Sequence, residues 1–173
     1  MTLTPALRKL ALTAHVTSSV GSLGAVAVFL ALAVVGLSSQ EVQVVRAAYL
    51  AMDVTARFVI VPLLFASLVI GLVQALGTSW GLVRHYWVLT KLLLTVLTIV
   101  VLLLQMEGIS SMAGAAAETA LSASDFRDVR ISLRTHAAAG LGALLVLVVL
   151  SIYKPRGMTR HGWRKQNERP ASP

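Results

Sequence analysis

The side chains able to do chemistry are few in this sequence, and most sit inside apolar stretches. His15 is followed by Ser18, Ser19 and Ser22, so one imidazole and three hydroxyls fall on a single helical face. Gly21, Gly24 and Ala25 keep the same region narrow, which favours close packing of a second helix. An imidazole in that setting either hydrogen-bonds across a helix interface or serves as a metal ligand, haem ligand or proton carrier. Asp53 and Arg57 stand four residues apart, the spacing at which an acid and a base on a helix face each other. The expectation is a structural ion pair at one edge of the membrane, with a gate or proton relay as the alternative. Lys91 lies about two turns into an apolar stretch, where its long stem lets the ammonium reach the interface. By depth, His15, Gln74, Lys91 and His85 belong to one polar cluster.

Two further sets invite chemistry. Met52, Met106, Met112 and His136 offer the soft donors that suit copper(I), though at no recognised ligand spacing. Arg127, Arg130 and Arg134 share a helical face, either as a stripe facing lipid headgroups or as an anion site. The sequence holds no Walker A or HExxH motif and no paired carboxylates within an apolar stretch. No catalytic residue and no metal site is therefore assigned. Cysteine is absent, which removes disulfides, thiolate metal sites and cysteine nucleophiles together.

The elements that must position these groups are membrane helices. The chain of 173 residues is 57% hydrophobic and 13% charged, against about 45–50% and about 25% in soluble domains. Four apolar stretches run over 10–37, 48–76, 83–106 and 133–153. Each reaches the ~20 residues a helix needs to cross the hydrocarbon core. In lipid the backbone must satisfy its own polar groups, so helices are the expected form. The predicted fold class is all-α: a transmembrane four-helix bundle over 1–155, followed by a basic, disordered tail over 156–173. Arg8 and Lys9 precede the first stretch in the manner of a signal peptide, but its apolar run exceeds the ~7–15 residues of a signal core. It reads as a retained helix. Pro62 predicts a kink in the second span. Gly108 and Ser110-Ser111 predict a break after the third, with a weakly helical 112–120 beyond it. Ser124-Asp125 resembles the start of the fourth helix, and Tyr153-Lys154-Pro155 its end. Trp80, Tyr86, Trp87 and Tyr153 fall where interfacial aromatics gather.

The formal net charge is +8. Basic residues cluster before the first span, between spans two and three, and in the tail, while most acids fall at the other end. The positive-inside rule then places the N-terminus and the C-terminus in the cytoplasm of a multi-pass protein of the bacterial plasma membrane. The basic tail suits anionic lipid headgroups rather than nucleic acid. Small-residue faces point to a homo-oligomer within the bilayer.

Two stretches carry a resemblance. They are Arg8-Lys9-Leu10-Ala11-Leu12-Thr13-Ala14-His15, with Gly21-Ser22-Leu23-Gly24-Ala25 after it, and Trp87-Val88-Leu89-Thr90-Lys91-Leu92-Leu93-Leu94-Thr95. With four spans and a Tyr-Lys-Pro-Arg-Gly tail, the chain resembles a family of small actinobacterial integral membrane proteins of unknown function. More distantly it is similar to the membrane protoporphyrinogen oxidase and copper-resistance D group. That likeness implies a cofactor or substrate site at His15 and Lys91, with haem as the cofactor. No second histidine stands at matching depth, since His85 and His136 fall near opposite membrane edges. Three functional readings follow: a non-enzymatic integral membrane protein; a haem- or porphyrin-linked redox protein using His15; and a small transporter or copper-handling protein using Asp53, Arg57 and the methionines.

Overall fold

The structure, a computed structural model, describes residues 4–77, 85–118, 126–153, 157 and 159. Its elements are α1 (Pro5–Ser38), α2 (Val42–Thr55), a π-helical turn (Ala56–Ile60), α3 (Val61–Gly77), α4 (Tyr86–Ala117) and α5 (Arg127–Tyr153). No strand occurs among the described residues. The second span is one continuous helical rod, α2 through α3. Four helices are thus long and apolar enough to cross a membrane, and the chain is an all-α four-helix bundle of the multi-pass membrane class.

Local chemistry sets the ends. Pro5 opens α1, where its missing N–H is an orphan in any case, and the Thr4 hydroxyl accepts from the Leu7 N–H. At the other end the Ser39 N–H closes on Val35 O. Pro62 cannot donate to the ladder. The strain is taken up just before it: the Val61 N–H reaches back five residues to Ala56 O, which forms the π-turn.

The predicted break at Gly108 and Ser110-Ser111 does not occur. α4 runs through them to Ala117, because the Ser110 and Ser111 hydroxyls donate to Met106 O and Gly108 O of their own helix. The third connection is correspondingly shorter than predicted. The helix start at Ser124-Asp125, the stop at Lys154-Pro155, Trp80, Arg84 and most of the tail lie outside the described residues.

Consecutive spans pack antiparallel, and the first also packs against the last. The order is fixed by specific contacts. Gly36 meets Tyr49 and His15 meets Ser67 between spans one and two. Arg46 reaches Ala117 O between two and three. Between three and four, Lys91 reaches Ser151 and Gly108 lies against Val129.

Even the shortest of the four spans, 27 residues, is about 40 Å long at ~1.5 Å per residue, more than the ~30 Å hydrocarbon core. The excess lies toward the end that holds the first connection. Asp53, Arg57, Glu107, Arg127, Asp128, Arg130 and Arg134 all fall there, and charges are costly in hydrocarbon. The tightest packing is there too: Tyr49, Met52, Ile109, Met112, Ala116 and Leu133 are all essentially inaccessible. Water at that end gives apolar burial a driving force that lipid does not supply between helices. On α1 and α2, however, the exposed face stays apolar through Val34, Val35, Leu50 and Val54.

Candidate functional site

The intramembrane polar groups gather on two helix seams at the end that holds the N-terminus. On the seam of α1 and α3, His15 Nδ1 lies 3.0 Å from the Ser67 carbonyl. A carbonyl only accepts, so Nδ1 carries the hydrogen, and in the neutral ring Nε2 keeps the lone pair. The ring edge rests on Gly71: a β-carbon there would lie 3.2 Å from Cε1. Ser19 and Ser67 share a hydroxyl–hydroxyl bond of 2.8 Å, and the Gln74 side-chain amide donates to Ala11 O at 2.6 Å. Ser18 and Ser22 turn back onto their own helix, at His15 O and Ser18 O. The face of hydroxyls expected around His15 is therefore divided, with Ser19 bridging to α3 and the other two closing backbone carbonyls.

On the seam of α4 and α5, Lys91 Nζ donates to the Ser151 hydroxyl at 2.7 Å and lies 5.8 Å from the centre of the Trp87 ring. The stem does not simply snorkel, because the ammonium is held by Ser151 and by the indole face. His85 stands at the N-cap of α4 with its ring tilted against Trp87 at 6.4 Å. The four groups are divided between two seams, His15 and Gln74 on that of α1 and α3, and Lys91 and His85 at α4 and α5.

Asp53 and Arg57 lie toward the opposite end. Arg57 Nε donates to both carboxylate oxygens, at 2.9 and 3.0 Å, and an Arg57 Nη donates to Ser110 of α4. The pair is partly exposed, so its Coulomb energy is screened, while the serine ties it to the neighbouring span. Arg130 does not join a headgroup stripe with Arg127 and Arg134. Its guanidinium lies 5.5 Å from the centre of the Tyr49 ring, whereas the other two are exposed. Sequence reasoning missed Tyr49, whose burial gave no sequence signal. Met52 and Met112 are fully buried in the apolar core, and His136 bonds Ser132 O on its own helix at 2.8 Å. The soft-donor set is thereby divided between core and surface. Among the described residues, no group of three or more His, Cys, Asp or Glu converges as a metal site.

No protein-family model, curated protein or solved structure matches this chain. What the chain is rests on its helices, which define a multi-pass membrane protein, and what it does rests on the arrangement of these seams.

Proposed function

We propose that the chain is a non-catalytic scaffold of the bacterial plasma membrane, with both termini in the cytoplasm, that associates with further copies of itself. The observation that carries this reading is the use made of the intramembrane polar groups. His15, Ser19, Gln74 and Lys91 each hydrogen-bond to a neighbouring span. Such bonds contribute on the order of 0.6 kcal/mol each in bilayers and set which helices meet. Self-association is supported by the apolar outer face of α1 and α2, where Val34, Val35, Leu50 and Val54 are exposed at the end the charged residues occupy. The orientation is supported by the basic residues near the N-terminus and in the tail, and the tail's partner is anionic lipid.

The native chain has no cysteine, so single cysteines report cleanly. A cysteine at Gln40 is expected to react with an impermeant maleimide in intact cells, and one at Ser172 only after permeabilisation. The reverse pattern overturns the orientation. Val34→Asp with Val35→Asp is expected to shift the purified protein to monomer by light scattering. An unchanged mass overturns self-association through this face.

One observation favours a second reading, a haem- or porphyrin-linked redox protein. The Ser67 carbonyl fixes the His15 tautomer, as the partners of metal-ligating histidines do. His15 would then hold the haem iron through Nε2, and Lys91 would partner a propionate. A bis-histidine haem does not fit: His136 is bonded on α5 and His85 stands at the start of α4. Haem bound at His15 would give a Soret band that His15→Ala removes; a flat spectrum after expression with haem precursor sinks this reading.

A further inference from the structure

An elongated cavity of about 170 Å³ runs between α4 and α5 and reaches the centre of the bundle. Its floor is Val26, Phe29, Ile60 and Leu64, from the first two spans. Its lips are Leu97 of α4 and Ala139 of α5, both on the exposed surface. Along α4 the lining extends from Leu94 to Ile109, about 22 Å by the helical rise.

The lining excludes water. A buried water needs two to four polar partners. Within the slot Thr98 already donates to Leu94 O of its own helix. Polar side chains otherwise occur at one end only, as Gln105 and His136. These stand next to Glu107 and Arg134, at the level where exposed charge begins. The cavity is therefore apolar along its length, polar at the hydrocarbon boundary, and open sideways where a membrane supplies acyl chains. The space exists because α5 presents Ala139, Gly140 and Ala143 there, opposite the leucines of α4. A β-carbon built on Gly140 would meet nothing within 4 Å.

We propose that this slot is a site for one acyl chain of a bilayer glycerophospholipid. The chain lies between α4 and α5 with its terminal carbons toward Leu94. The ester carbonyl accepts a hydrogen bond from the Gln105 amide, at the depth where glycerol esters sit. The ligand is thus recognised by length and by one hydrogen-bond donor at the boundary, with its headgroup left in water.

The test uses the full chain in nanodiscs of phosphatidylglycerol. One arm contains phosphatidylglycerol with a diazirine on one acyl chain, and a second contains a free fatty acid with the same diazirine chain. After irradiation the phospholipid is expected to label peptides around Leu97 and Gly140 well above those around Leu104, which simply faces out at 74% exposure. Gly140→Leu, which fills the slot, is expected to cut that labelling by about tenfold or more. Gly142→Leu adds the same bulk two residues on, at an exposed position with open space around it, and is expected to leave the labelling unchanged. Equal labelling in the two variants overturns the site. So does phospholipid labelling no stronger at Gly140 than at Leu104. Labelling by the fatty acid alone overturns the assignment to a bilayer lipid. Because Gly142→Leu carries the same added bulk, a general loss of folding would appear in both variants and be recognised by their circular dichroism.

Discussion

The His15 imidazole rests on the backbone of Gly71, with its Cε1 only 3.2 Å from the point where a β-carbon would stand. Glycine is required there because the ring needs that space to reach the Ser67 carbonyl. Gly71→Val is expected to push the ring off the carbonyl and to cost roughly 1–3 kcal/mol by overpacking, seen as a lower thermal midpoint in detergent. Gly24→Ala, where an added β-carbon meets nothing, should hold or raise the midpoint through its better helix propensity, by up to about 1 kcal/mol.

A tighter case lies at the other end of the same seam. A β-carbon on Gly36 would come within 2.8 Å of Tyr49 Cζ. Gly36→Ala alone should destabilise by roughly 1–3 kcal/mol. Combined with Tyr49→Leu, which removes the ring, the added methyl should cost far less. A double-mutant cycle by thermal denaturation reads the difference, and additive effects would contradict the contact.

Tyr49 also permits a test of its hydroxyl. That oxygen is buried, with no hydrogen-bond partner among the described residues, while the ring carries the Arg130 guanidinium above it. Tyr49→Phe is expected to be neutral or stabilising, because a buried, unbonded hydroxyl is removed and the ring is kept. Arg130→Ala removes the cation over the ring and is expected to cost about 1 kcal/mol. Loss of stability in Tyr49→Phe comparable to that in Arg130→Ala would count against this account.

The Asp53–Arg57 pair should be weak on its own. Asp53→Ala is expected to lower stability by about 1 kcal/mol or less. The loss should shrink in high salt, since at about 1 M the screening length falls to about 3 Å, comparable to the separation of this partly exposed pair. Ser110→Ala should reproduce part of the loss, because Arg57 reaches across to that hydroxyl. A salt-independent loss of several kcal/mol would mean the pair is buried in the assembly.

The four spans were legible in the sequence because hydropathy and length decide them. So was the Asp53–Arg57 spacing, which lies on one helix and needs no knowledge of any other. The shared depth of His15 and Gln74, on facing helices, was legible for the same reason. What was not legible is rotation. Whether His15 faces Gly71 or lipid depends on the angle at which two helices present themselves, and depth is silent on that. Gly108 and Ser110 misled because small and hydroxyl residues break isolated helices. Here the serines close carbonyls of their own helix, and α4 is packed against α2 and α5. The residues of the lateral slot were visible one by one as alanine and glycine, but the space they leave appears only when α4 stands opposite.

The π-turn bears on chain length. Met52, Ala56, Ile60 and Leu64 are buried at intervals of four, whereas an α-helix would carry such a stripe about 40° round at each step. The wide turn absorbs that drift, so twelve residues cover three turns. Eleven residues would cover the same three turns at about 3.67 per turn, close to a regular α-helix. One residue between 56 and 60 is therefore surplus to the geometry. Deleting the exposed Val59 should heal the turn into an α-helix and leave both halves of the second span facing as they do now. Deleting Leu68, below the turn, would swing Gly71 and Gln74 by about 100° away from His15 and Ala11. The second span is, in this sense, a helix with an insertion already accommodated, and its tolerance to losing a residue is confined to that one turn.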